Sequence, residues 1–150
     1  MSVATPAAAA FAAYCDLFAC LCPSDLSRFD AVYAPGAHFK DPFNDVRGVP
    51  AIRAVFSHMY AVARAPRFEI LERGLDGDVG LVRWRFHYAE RSGTTRSFDG
   101  VSRVSFDAQG RVTEHLDYWD PVEVIWGRVP VLGALLRRLG RRLAAAPVEP

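Results

Sequence analysis

Cysteine is scarce in this chain: Cys15, Cys20 and Cys22 are its three, an odd number without a Cys-x-x-Cys spacing. That excludes a disulfide framework and a cysteine-based zinc site, and leaves buried thiols in a reducing compartment as the expectation. No apolar run reaches the roughly 20 residues that span a bilayer, and the stretch Met1 to Pro6 has no basic leader. The expected setting is cytoplasmic. Glycine-rich phosphate loops and serine-hydrolase elbows are missing. His115-x-Asp117 would supply two metal ligands where a site needs three or more, so neither metal nor cofactor is expected. Positive charge is short over most of the length: residues 1–130 hold 14 basic and 16 acidic side chains, and residues 131–150 hold 4 and 1. A body without a basic stripe excludes nucleic acid as the main partner, because phosphates demand Lys and Arg spread over a surface.

What is present fits one globular domain, with 150 residues, 51% of them hydrophobic and 23% charged. Thr5-Pro6 reads as a helix cap with proline in the first turn, and Phe11, Tyr14, Phe18 and Leu21 recur at helical spacing, so a first helix is expected over about 6–22. Pro23 stops it. Ser24 can cap a second helix carrying Leu26, Phe29 and Tyr33, ending before Pro35-Gly36 and forming a hairpin with the first. A third helix is expected over about 49–63, with Ile52, Val55, Phe56, Met59 and Val62 on one side. From Arg67 the period becomes two. Strands are expected over 67–73, 79–90, 95–106 and 112–120, joined by the turns Asp76-Gly77-Asp78, Ser92-Gly93 and Asp107-Ala108-Gln109-Gly110. Helices first and strands second imply an α+β fold, a curved antiparallel sheet covered by three N-terminal helices. Trp84, Phe86 and Tyr88 alternate with Arg83, Arg85 and His87, giving that strand an apolar face toward the helices.

The stretch Val112-Thr-Glu-His-Leu-Asp-Tyr-Trp-Asp120 is the informative one. Strand alternation places Thr113, His115, Asp117 and Trp119 on one face and Val112, Glu114, Leu116 and Tyr118 on the other. An imidazole, a carboxylate and an indole on one wall have the composition of a small-molecule pocket. An edge strand wetted on both sides is the other reading of the same pattern.

The order of elements, together with Asp41-Pro42 followed by Gly48-x-x-x-Ile52-Arg53, with Val104-x-Phe106-Asp107-x-x-Gly110-Arg111-Val112, and with Tyr118-Trp119, resembles the nuclear transport factor 2-like superfamily over about residues 7–121. The likeness is to its ketosteroid isomerase and SnoaL-like polyketide cyclase branches. It implies a cone-shaped sheet around an apolar ligand, and a homodimer. It also implies roles: Asp41 falls on the isomerase base, Tyr14 on the tyrosine that donates to the enolate oxygen, and Ser102 where the isomerases carry a protonated aspartic acid. His115, Asp117 and Trp119 fall on pocket-lining positions, and Asp117 is nearest to the acid/base of the cyclases. Trp84, Phe86 and Tyr88 are expected to line the ligand site.

Beyond residue 121 the chain departs from that pattern. Residues 122–150 form an extension in which Val131 to Ala145 read as an amphipathic helix, with Leu132, Leu135, Leu136, Leu139 and Leu143 opposite Arg137, Arg138, Arg141 and Arg142. It has two readings, docking on the body or across a dimer and weak contact with an anionic membrane surface. Three functions follow. The chain is an isomerase or cyclase using carboxylate acid/base chemistry on an apolar carbonyl compound, or a carrier for a hydrophobic ligand, or an interaction module working through its last helix.

Overall fold

Thr5 caps the first helix, its hydroxyl accepting the Ala8 N–H at 3.3 Å, and Pro6 sits in the first turn where no N–H is needed. In the computed structural model, which describes residues 5–146, α1 (Pro6–Ala19) buries Phe11, Tyr14, Cys15, Leu17 and Phe18 on one face. The chain divides into two compact units between Trp119 and Asp120.

The expected second helix is cut short. Pro23–Arg28 is a 3-10 turn and α2 (Phe29–Val32) a single α-turn, after which Tyr33 already belongs to strand β1 (Tyr33–Lys40). Pairing overrides local pattern here, because Tyr33 lies opposite Val112 in the ladder and is fully buried. Pro35-Gly36 is therefore inside a strand and not a turn. The ladder slips between Tyr33 and His38, and the proline's missing N–H falls in that irregular stretch. A short β2 (Asp45–Arg47) returns along β1, and α3 (Val49–Val62) follows with Val49, Ile52 and Phe56 buried.

Four long strands complete the first unit: β3 (Arg64–Asp76), β4 (Val79–Ala89), β5 (Thr95–Phe106) and β6 (Val112–Tyr118). The sheet is curved and unclosed, in the order β2-β1-β6-β5-β4-β3. It is not wholly antiparallel, since β1 and β6 run parallel. Helix α1 packs on β3 and β4, and α3 on β1 and β3. Together they close an aromatic core in which Phe29, Tyr33, Phe39 and Ile52 are among the least exposed side chains.

Two glycines shape that core. Gly100 lies opposite Trp84 across β4 and β5, and a Cβ there would stand 2.3 Å from the indole ring. A Cβ at Gly80 would stand 2.3 Å from the Phe11 ring. The notch at Gly100 lets the indole lie flat on the sheet, and the one at Gly80 seats α1. On the outer face of the sheet, Arg83 binds Glu72 and Asp99, Arg85 binds Asp99, and His87 binds Glu69. The basic row of β4 is thus answered by carboxylates on both neighbouring strands.

The second unit begins at Asp120, whose carboxylate caps α4 (Pro121–Val124) by accepting the N–H groups of Val122 and Glu123. A 3-10 turn over Trp126–Arg128 leads to α5 (Leu132–Leu143). Turn and helix pack through Gly133, where a Cβ would stand 2.2 Å from the Gly127 carbonyl oxygen, and through Arg137, which donates to that oxygen at 2.9 Å. Among the described residues no helix is long and apolar enough to cross a membrane.

Replacing Gly100 by alanine forces the Trp84 ring to move. Urea denaturation of Gly100→Ala is expected to show a loss of about 1–3 kcal/mol, the usual effect of overpacking. An unchanged midpoint would mean that the notch is not needed.

Candidate functional site

The parity of β5 puts Gly100, Ser102, Val104 and Phe106 on the buried face, and that of β6 puts His115 and Asp117 beside them. One element of the alternation differs from expectation. The ladder slips between Ser105 and Phe106, so that Val112 pairs with Phe106 while Glu114 pairs with Ser105. Thr113 is the extra residue of a bulge, and Val112 therefore faces the core with His115 although the two differ in parity.

His115 is the hub of the site. Its side chain is 1% exposed and is ringed by aromatic groups, with Phe39 at 4.9 Å, Tyr14 at 5.6 Å and Phe18 at 5.7 Å between ring centroids. The Tyr33 hydroxyl lies 2.8 Å from Nδ1, and Asp117 Oδ1 lies 2.8 Å from Nε2. A carboxylate only accepts, so Nε2 carries the hydrogen and donates it to Asp117, while Nδ1 accepts from Tyr33. The Tyr14 oxygen stands 3.1 Å from Nε2 and 3.4 Å from Nδ1, against the same edge of the ring.

Asp117 Oδ1 also accepts the Ser102 hydroxyl, and Ser102 in turn accepts the Trp84 indole N–H at 2.8 Å. A chain of hydrogen bonds therefore runs from Trp84 through Ser102, Asp117 and His115 to Tyr33. Its members come from four strands and are brought together by pairing alone. Among the described residues, Oδ2 of Asp117 receives no hydrogen bond, while every fully buried side-chain oxygen or nitrogen has a partner. Oδ2 is thus the accessible atom of a carboxyl group that is only 13% exposed.

Asp117 belongs to the wall of a narrow cleft whose enclosed space holds about one water molecule. Phe18, Phe56, Phe68, Ile70 and Val82 form its apolar side, and Tyr14, Trp84, Ser102, His115 and Asp117 its polar side. A ligand larger than water is admitted only when the aromatic side chains around the mouth part. Burial raises the hydroxyls of Tyr14 and Tyr33 well above the ordinary tyrosine range. The nearby Asp117 charge adds to both, and in Tyr14 the neighbouring Ser102 hydroxyl opposes the rise. Both stay protonated at neutral pH.

Five of the expected residues thus meet here: Tyr14, Trp84, Ser102, His115 and Asp117. Asp41 is not brought to them. Its Oδ1 accepts the backbone N–H groups of Phe43 and Asn44 at 2.7 and 2.6 Å, and the Asn44 side-chain amide reaches both oxygens at 3.0 Å. The carboxylate ties the turn between β1 and β2, the common local role of aspartate before proline. Ser102 differs from its expected role as a donor to the ligand, because its hydrogen is committed to Asp117. Trp119, Phe86 and Tyr88 stand outside the cavity wall in a second aromatic group around Phe98, with Phe98 5.0 Å from Trp119 and 5.4 Å from Phe86. Trp119 also packs on Phe43. Tyr33 was missed. Its place in a helical stripe concealed a hydroxyl whose partner lies 82 residues away. Among the described residues, no cluster of three or more His, Cys, Asp or Glu side chains could hold a metal ion.

Comparison with known proteins agrees with this architecture. The family model for the SnoaL-like domain matches residues 11–115. A protein assigned to the SnoaL-like polyketide cyclases, from Jannaschia sp. CCS1, superposes with a TM-score of 0.70 at 15% identity, over 83% of this chain and 93% of that one. TerC, co-crystallised with polyporic acid, gives 0.67 at 20% identity over 80% and 95%. A protein of ketosteroid isomerase-like fold from Catenulispora acidiphila, in complex with trimethylamine, gives 0.65 at 13% identity over 77% and 88%. No curated protein matches the chain. At these identities the solved structures speak for the fold, and the family model speaks for descent: the chain belongs to the SnoaL-like domain family.

Proposed function

We propose that this protein binds a compact apolar carbonyl compound in its cavity and moves a proton on it, with Asp117 as the base. The observation that carries the reading is the asymmetry of the carboxylate. Ser102 and His115 hold Oδ1, and Oδ2 is left open. A carboxylate fixed in one rotamer with one free oxygen is the arrangement a proton transfer needs. Oδ2 takes a proton from the carbon next to the carbonyl, and the C–H electron pair becomes the enolate. The Tyr14 hydroxyl, protonated and on the same wall, donates to the enolate oxygen. The proton then returns from Oδ2 to another carbon, which is isomerisation, or the enolate carbon closes on a second carbonyl of the same molecule and the alkoxide takes the proton, which is cyclisation. Either sequence balances without a further reactant. Tyr33 acts through His115, holding the ring so that Nε2–H stays on Asp117.

A specific observation favours a second reading, that of a carrier. With the Ser102 hydrogen committed to Asp117, Tyr14 is the one hydroxyl donor left for an enolate, and binding without turnover asks for no more than that.

Asp117→Asn separates the two. In the enzyme reading it keeps the shape, retains the melting-temperature rise given by ligands, and lowers turnover by about 10²–10⁴-fold, the usual size of a general base contribution. Polyporic acid, steroid ketones and polyketide ketones are the panel to screen by thermal shift and by loss of the substrate's absorbance. Ligands that stabilise wild type and Asp117→Asn alike, with no turnover by either, identify the carrier.

The tyrosines give a test that needs no ligand. Their folded-state pKa values are raised, so the folded chain holds these protons more tightly than the unfolded one. The stability associated with them is complete below about pH 10 and falls as pH rises beyond it. Urea melts between neutral pH and pH 11 are expected to show this decline, and Tyr14→Phe or Tyr33→Phe to make it shallower. At neutral pH, Tyr33→Phe is expected to cost about 1–3 kcal/mol, because buried His115 Nδ1 loses its 2.8 Å donor and keeps only the longer Tyr14 contact at 3.4 Å. Slopes equal to wild type in both variants would count against buried, neutral hydroxyls.

A further inference from the structure

Helix α5 shows its leucines to solvent. Leu135 is 61% exposed, Leu139 51% and Leu143 80%, and Val131 just before the helix is 84% exposed. At 100° per residue the five leucines fall within an arc of about 100°, and the four arginines occupy an arc of about 140° on the other side. Within its own unit the helix is packed through Gly133 and Arg137 against the turn at Gly127, so the leucine arc is not the face that this packing uses. Trp126, Ile125 and Val129, on the chain leading into the helix, are each about two-fifths exposed. From residue 131 to residue 146 the chain has four arginines and no carboxylate side chain.

We infer that α5 is an interfacial helix that lies on an anionic membrane surface, its leucines in the acyl boundary and its arginines among the headgroups. Charge selects this occupant. An apolar stripe alone would serve another protein equally well, but a stripe flanked by arginines without one answering carboxylate is complementary to a negative apolar boundary. A second copy of the chain is a poorer match, because pairing two such helices adds four more arginines and no acid to meet them. Twelve residues are too few to cross a bilayer and enough to lie along one. Arginine also suits the position, since its long stem stays in the apolar layer while the guanidinium reaches phosphate.

The test is co-sedimentation of the full chain with vesicles of phosphatidylcholine alone and of phosphatidylcholine mixed about three to one with phosphatidylglycerol. The expected result is binding at least about tenfold stronger to the anionic vesicles and weakening as salt rises. Changing Arg138 or Arg142 to Gln is expected to lower it by roughly fivefold each, and Leu135→Ser with Leu139→Ser to abolish it. These side chains are exposed, so the melting temperature should stay at the wild-type value, which separates a lost surface from a lost fold. Equal binding to both vesicles, or none to either, overturns the inference. So does a dimer in light scattering that the leucine double variant dissociates while wild type ignores lipid, which would give the face to a second copy. Binding of duplex DNA with no binding of vesicles would reassign the arginines to phosphate backbones.

Discussion

A buried imidazole has to have both nitrogens satisfied, and at His115 that requirement ties two strands and a helix to one point. Nδ1 needs a donor and finds Tyr33 on β1. Nε2 needs an acceptor and finds Asp117 two residues along its own strand, with the ring held among Phe18, Phe39 and Tyr14. Removing either partner leaves that nitrogen only its longer contact with the Tyr14 hydroxyl, so the fold and the site share one set of bonds. Ser102 and Trp84 extend the same logic to β5 and β4, and the missing side chain at Gly100 is what lets the indole reach.

That economy explains how the polar wall stays apart from the polar outer surface. On the outer face of β4, Arg83 and Arg85 meet carboxylates in water, where such pairs contribute little each and serve mainly to keep the sheet face hydrated. On the inner face a single carboxylate is enclosed by hydrogen-bond donors and by phenyl rings. The two faces alternate along the same strand, residue by residue, and only the inner one carries a candidate reaction.

Much of this is legible in the residues themselves. Strand alternation alone sets His115 and Asp117 on one wall, and the apolar row at Trp84 and Phe86 shows which way it faces. The strand boundaries at Thr95 and Phe106 follow from the turns that flank them. What alternation cannot carry is a slipped ladder, and the bulge at Thr113 moves Val112 across to the core without any local mark. Tyr33 illustrates the same limit. Its spacing from Phe29 is helical, and only pairing with Val112 makes it part of a strand. Asp41 shows the opposite case, where a motif shared with a family coincides with a residue whose local chemistry, an aspartate before a proline, already accounts for it.

The parallel pairing of β1 with β6 also sets an order of assembly. Strands β3 to β6 follow one another as neighbours and zip through short turns, whereas β1 must wait for a partner near the end of the unit. Closing that long loop costs entropy before any contact rewards it, so the contact between Tyr33 and His115 is expected to form late in folding. On the ribosome, the helices and β1 emerge well before the strand that completes them. Until β6 is released, Tyr33 lacks its imidazole partner, Phe29 and Phe39 have Phe18 and Phe56 to pack on, and the nascent chain holds an aromatic surface open before the Asp117 network exists.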